Sequence, residues 1–336
     1  MKKKWIISII IVLLLAGILA GTVYQIREHY EYDFEQHYLI VKKDERSGFS
    51  YAVYDDHVEL LDYQGEKTDV NIPETLMGKP VTIIGKACFE HKDITSVYLS
   101  SNITEIKRAA FKGCRKLEYV TGDADIEDIP EIAFDNCRSL KTVKVGNGIK
   151  HIGDYTFYRC EILESIGEQP DLESIGYHAF WGAGSFSDFL VPENTEVGNF
   201  AFFTSEWLKN QTEEYVIVGK GNLIAYHGSE EVLEIPYGIT KIDAGVFTYC
   251  EKAENIREIY LPDTVEELAS LAFSFCHNII VYIPESVTAI DEDYRDSESY
   301  FLADKDATIK IVTTKGSYAE EYAKTYNIPC EIVEGW

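Results

Sequence analysis

The chain has 336 residues, with 57 acidic against 31 basic side chains and a formal charge of −26 at pH 7. That surplus repels phosphate backbones and anionic lipid headgroups, so nucleic acid is not expected as a partner. Length alone suggests two or three globular domains, but an internal repeat removes that expectation, because a repeat array grows in one dimension.

At the N-terminus Lys2, Lys3 and Lys4 precede an uncharged run from Trp5 to Tyr24, in which Ile6 to Val23 supplies 18 apolar or small residues. This is just long enough to span a bilayer. Trp5 and Tyr24 stand where interfacial aromatics would, and the lysines favour a cytoplasmic N-terminus with everything downstream outside. The alternative is secretion after signal cleavage. Against it, Ala20 has Ile18 two places before it, a poor small-x-small site, and Ala20-Gly21-Thr22 is a weak second choice. Residues 1–24 are therefore expected to be a cytoplasmic stub and a transmembrane signal anchor, and residues 25–46, polar with Tyr30, Tyr32, Phe34 and Tyr38, a juxtamembrane stalk. Beyond residue 30 the balance is −29, with 27 basic and 56 acidic residues.

From Phe49 the apolar residues alternate, as in Phe49-Ser-Tyr51-Ala-Val53 and Val58-Glu-Leu60, with Asp55-Asp56 between. The pattern predicts a capping hairpin within 47–80 that shields the first edge of the chain beyond it from pairing with other molecules.

Residues 81–309 carry a repeat. Its marks are Phe89, Phe111, Phe134, Phe157, Phe180, Phe202, Phe247 and Phe273, at gaps of 22, 23, 23, 23, 22, 45 and 26. Five residues before each Phe is an apolar residue: Ile84, Ile106, Ile129, Ile152, Ile175, Val197, Ile242 and Leu268. Three earlier again come further apolar residues, with Asn194 the one polar occupant. A fixed period of this length is the signature of a solenoid whose units bury their apolar faces only against their neighbours. Upstream of each such pair, stretches such as Leu140-Lys-Thr-Val143-Lys-Val145 alternate as strands do. Stacked copies would form one long parallel ribbon and bury the eight phenylalanines in a single file, with only a short helical turn around each Phe.

The units resemble the BspA-like class of leucine-rich repeat proteins, which read approximately L-x-x-I-x-I-P-x-x-V-x-x-I-G-x-x-A-F-x-x-C. The copy from Ile256 to Cys276 carries this nearly whole, with Pro262 after Leu261 and Ala272-Phe273 at the turn, although Ala269 stands where Gly is usual. The resemblance covers about residues 49–336. It implies a repeat solenoid of leucine-rich repeat type, mainly β, and a bacterial or protist cell-surface or secreted binding protein often linked to adhesion. It implies no reaction.

The 45-residue gap holds a replaced unit at about 206–230. Trp207-Leu208-Lys-Asn-Gln precedes two apolar runs, Tyr215-Val-Ile-Val218 and Leu223-Ile-Ala-Tyr226, around a Gly/Asn turn, which predicts a hairpin. After Phe273 the pattern decays. Asp291, Glu292, Asp293 and Asp296 read as a solvated acidic loop that misses the spacing of a calcium loop. In 310–336 a strand ending at Ile311 is followed by Ser317-Tyr-Ala-Glu320, a capping box that opens a helix closing the solenoid.

Cys114, Cys137, Cys160, Cys250 and Cys276 all lie three residues after the repeat Phe, a slot that holds Ala183 and Ser205 elsewhere. The slot demands small size, so buried free thiols are expected over disulfides. No nucleophile elbow, H-E-x-x-H, P-loop or Rossmann glycine string occurs. The chain is accordingly read as a non-enzyme without cofactor or metal, and His151 and His178 as surface residues.

Binding then falls to the ribbon. The residue between the last two apolar positions of each strand points outward, and Tyr98, Tyr260 and Tyr282 occupy it, with Tyr119 one outward position earlier. The expected function is a membrane-anchored extracellular protein-binding or adhesion module, its ligand site centred on Tyr98/Tyr119 or Tyr260/Tyr282. A self-associating scaffold of the cell envelope is the alternative.

Overall fold

The computed structural model describes residues 40–146, 148–186, 189–291 and 308–335. The run from Trp5 to Tyr24, the stalk up to residue 39, and Glu292, Asp293 and Asp296 lie outside them. Among the described residues no helix is long and apolar enough to cross a membrane.

The chain winds into a mainly-β solenoid of about 11 turns, here called coils. Each coil has up to three sides. On the first, Asp69–Asn71, Ser96–Leu99, Tyr119–Gly122 and Thr142–Lys144 pair in parallel. On the second, two-residue strands stack in register, among them Asp128–Ile129, His151–Ile152, Ser174–Ile175 and Glu196–Val197. Each sends one aliphatic side chain inward, so Ile129, Ile152, Ile175 and Val197 are all buried. In the sixth copy the buried residue of the preceding position is Thr195, not Asn194; its hydroxyl donates to Leu172 O at 2.8 Å.

The third side carries the Phe. It is not a helical turn. The residues two before and two after Phe134, Ile132 and Asn136, have φ of +51° and +59°, and the pattern recurs at Ala87 and His91 and at Tyr155 and Arg159. Left-handed backbone costs roughly 1–2 kcal/mol for a residue with a Cβ. What offsets it is a set of hydrogen bonds to the next coil: Ile132 N to Asp154 O, Phe134 N to Thr156 O and Asn136 N to Tyr158 O, all 2.8–2.9 Å. The strained turn therefore exists only because another coil lies beside it.

All eight repeat phenylalanines are buried. From Phe89 to Phe202 six rings stack, with centroids 5.1–5.5 Å apart. The file then breaks. Phe202 meets Trp207 at 4.7 Å, and a second group runs from Tyr226 to Phe247 at 5.9 Å and on to Phe273 at 6.4 Å. The single file expected from the period is two files because the replaced unit has no Phe turn.

That unit begins with a short helix, Glu206–Lys209, capped by Ser205. A hairpin of Tyr215–Val218 and Asn222–Tyr226 comes next, and its second strand continues the stack beside Lys241–Ile242. After Tyr226 the chain goes straight to the strand Val232–Glu234. The turn at Phe200 is thus left without the coil its N–H groups would bond. Asp243, two coils on, supplies the acceptor: its Oδ1 takes Phe200 N at 3.0 Å and Ala244 N at 2.6 Å, and its Oδ2 takes Asn222 Nδ2 at 2.9 Å. Burial pushes this carboxyl up to about 6. Nearby Asn199 Nδ2 donates to Asp291 Oδ2 at 2.6 Å across 92 residues of chain, and Phe200 packs with Ala244 and Ala269. The turn side closes into a corner here.

His178 sits in this corner, 9% exposed, against Tyr177 at 3.7 Å and Trp181 at 4.3 Å. Its surface assignment is wrong for a physical reason: the neighbouring aromatic rings shut out water, and desolvation lowers its pKa to about 4. His151 is exposed, 2.9 Å from Ser174 Oγ.

The ends are closed by added strands. The N-terminal cap has three antiparallel strands, Ile40–Asp44, Phe49–Val53 and Val58–Tyr63, the last pairing with Lys79–Ile84. It starts inside the stretch assigned to the stalk. Lys92, which fills the small-residue slot of the first copy, pairs with Asp62 at 2.8 Å. At the other end Ile309–Thr314 extends the ribbon, the helix Tyr318–Thr325 packs Tyr322 inward, and a further strand, Cys330–Val333, pairs beside Ile309–Thr314. Half of the capping box is formed: Ser317 Oγ accepts Glu320 N at 3.2 Å, while the Glu320 carboxylate reaches past Ser317 to take Gly316 N at 2.6 Å.

All seven cysteines are free, and six are buried. The thiols of Cys114, Cys137 and Cys160 donate to the carbonyls of Phe89, Phe111 and Phe134 in the preceding coils.

Candidate functional site

The ribbon is in two parts. The first ends at a bridge from Thr142 to Ser165, after which Gly167 turns left-handed with φ +73°. The second begins at Val232 and runs through Glu258–Tyr260 and Ile279–Tyr282 to Ile309–Thr314. Phe186 and Phe189 intervene, both turned into the core against Phe180, while Leu190 stands 82% exposed in the gap. Tyr98/Tyr119 and Tyr260/Tyr282 therefore belong to separate surfaces.

On the first ribbon Tyr98 registers with Thr121, and Tyr119 with Ser96 and Thr142, so the two rings lie in different columns. Tyr98 OH donates to Asp123 Oδ2 at 2.5 Å. Tyr119 lies under Lys141 Nζ at 5.5 Å, and that ammonium pairs with Glu118 at 2.6 Å. A shallow cavity of about 510 Å³ opens beside Tyr98, lined by Thr121, Asp123, Asp125 and Lys144. Several lysines on this half pair with acids of the preceding coil, among them Lys116 with Asp93 at 2.9 Å and Lys150 with Glu127 at 3.0 Å.

On the second ribbon Glu234, Tyr260 and Tyr282 share one column. The two rings are stacked, 4.0 Å between centroids and 9° between planes. Tyr260 OH donates to Glu258 Oε2 at 2.7 Å, and the Tyr282 hydroxyl and the Glu258 carboxylate together hold the Tyr260 phenol above its ordinary pKa. At the bend that ends each strand, the equivalent positions are Tyr237, Asp263 and Glu285, all exposed, with Tyr237 at 80%. Tyr237 was missed in the sequence, because Pro236-Tyr237-Gly238 reads only as a turn. Its signal was an aromatic residue at a bend where the neighbouring copies carry acids. Glu234, Asp263 and Glu285 have no cationic partner among the described residues.

Among the described residues no group of three or more His, Cys, Asp or Glu is placed to hold a metal ion. Asp291, the one described member of the acidic loop, is bonded by Asn199.

A stacked, strand-and-turn solenoid with a solvent-facing ribbon is the architecture of leucine-rich repeat proteins. The family model for the BspA type leucine-rich repeat region matches residues 82–209 and 224–301 with six copies, and the chain belongs to that family. Its fold is similar to that of a leucine rich cell surface protein of Faecalibacterium prausnitzii, at 18% identity and TM-score 0.51, covering 89% of this chain and 96% of that one. It is also similar to the pneumococcal vaccine antigen PcpA, at 13% identity and TM-score 0.50, covering 89% of this chain and all of the other. At these identities the likeness is one of fold. No curated protein matches the sequence.

Proposed function

We propose that the chain is a membrane-anchored extracellular module that captures a protein ligand on its second ribbon, through Tyr260 and Tyr282, and performs no catalysis. The observation that carries this reading is the stacked tyrosine pair on the solvent side of the ribbon. Two large amphipathic rings held against each other lose little freedom when a partner covers them, and such residues dominate interface energetics. The tyrosines of the first ribbon form a second, weaker candidate, because Tyr98 and Tyr119 lie in different columns and Lys141 covers one ring. A surface location is supported by the lysine-flanked apolar run at residues 5–24 and by the cell-surface protein of the same fold.

The test is a pulldown from host and envelope extracts with the chain from residue 40, comparing Y260S/Y282S with Y98S/Y119S. The expected result is a partner whose capture falls about tenfold with the first pair and under twofold with the second, the loss of two interface aromatics. A partner retained undiminished when all four tyrosines are replaced removes the proposal. For the anchor, the expected mature N-terminus is Met1 in the membrane fraction, and a start near Gly21 or Val23 rejects it.

A further inference from the structure

We infer that the partner segment seated on the second ribbon is extended and rich in lysine or arginine. This rests on the ribbon being the binding face and names the chemistry it selects. The surface presents three rings, Tyr237, Tyr260 and Tyr282, interleaved with four carboxylates, Glu234, Glu258, Asp263 and Glu285. A cation over a tyrosine ring is attracted by its π-face, and more so where a carboxylate lies alongside. The only lysine registered within these strands, Lys310, is already held by Glu331 at 2.5 Å. Arg257, just before the strand, folds back on its own turn, its Nη1 donating to Glu254 O at 2.7 Å and Ile256 O at 3.2 Å, and its charge offsets at most one of the four carboxylates.

The first ribbon lacks this imbalance. Lys116 and Lys141 pair there with acids of the preceding coil, and Lys144 lines the cavity beside Tyr98. An incoming cation would have to displace them. An acidic segment is repelled by the second ribbon, and an aliphatic one would bury three of its carboxylates without a counter-charge. Successive coils stand about 4.8 Å apart, and alternate side chains of an extended segment about 7 Å apart. Cationic side chains on one face of such a segment can therefore each reach a ring or a carboxylate in adjacent coils.

The experiment uses the purified full chain in detergent and a labelled peptide of alternating arginine and serine, with glutamate–serine and glycine–serine peptides as controls. Affinity is measured from about 50 to 300 mM salt. The quadruple variant E234Q/E258Q/D263N/E285Q is set against E105Q/D123N/D125N/D128N on the first half, which removes the same charge. The expected result is about tenfold weaker arginine-peptide binding for the first set and under twofold for the second, with Y237S/Y260S/Y282S also losing about tenfold. Equal losses in the two quadruple variants mean attraction to overall charge alone and overturn the inference. So does binding of the glutamate–serine or glycine–serine peptide as tight as that of the arginine peptide.

To guard against variants that fold poorly, the wild-type chain is photo-crosslinked with a benzophenone-bearing arginine peptide. Attachment is expected within residues 231–286, and attachment within 96–150 overturns the inference. If the arginine peptide does not bind while a tyrosine-dependent partner is still captured, the basic-segment reading fails and the binding face stands.

Discussion

The buried carboxylate of Asp243 should make the corner between the two aromatic files weaken as pH rises. The group accepts two backbone N–H bonds and one amide, yet burial dominates and holds its folded pKa at about 6 against an ordinary 3.8. A raised folded value means that the native state binds the proton more tightly. The contribution is therefore fully present below pH 3.8 and is lost as pH rises through 6. At ~1.4 kcal/mol for each tenfold in proton affinity, the loss comes to about 3 kcal/mol. D243N removes the charge while keeping an oxygen for Phe200 N and Ala244 N. Its new amide can donate to Asn222 Oδ1, which has no partner among the described residues, once the Asn222 amide turns over. The expected outcome in urea unfolding from pH 4 to pH 7.5 is near-equal stability at the acid end. Toward neutral pH the variant should gain about 3 kcal/mol, or roughly 5 °C in melting temperature. Groups common to both proteins, His178 included, cancel in the difference. A gap between the two proteins that stays constant with pH would refute the reasoning.

Two more outcomes come from the packing. F157A should cost roughly 3–5 kcal/mol, since its ring is fully buried between Phe134 at 5.5 Å and Phe180 at 5.2 Å; F275S, at a residue 49% exposed, should cost clearly less, about 1 kcal/mol, in the same denaturation series. A thiol reagent should titrate Cys330 alone in the native protein and all seven cysteines in denaturant; several reactive thiols before unfolding, or fewer than seven after it, would contradict the buried, reduced state.

The repeat was legible because its signal is local and redundant. One Phe five residues after one aliphatic, eight times over, leaves a buried column as the only use for those positions. The small slot at Cys114, Cys137 and Cys160 was legible for the same reason. Reading failed where a residue's role depends on what the next coil lacks. Asp243 looks like any surface aspartate until the missing turn after Tyr226 leaves Phe200 N without an acceptor. His178 looks exposed until Tyr177 and Trp181 close over it. Tyr237 joins the candidate surface only because stacking sets its bend in one column with Asp263 and Glu285, at the end of the strand whose Glu234 registers with Tyr260.

The chain by itself therefore determined the coil, the inward residues and the family, since period and apolar phase are properties of one dimension. Tertiary structure decided where stacking is interrupted, and hence that there are two ribbons, two aromatic files and a polar corner. The physical reason is that a coil's strand and turn hydrogen bonds are made to its neighbours. Whether a given stretch becomes strand, bend or gap is settled by the coil that lies against it.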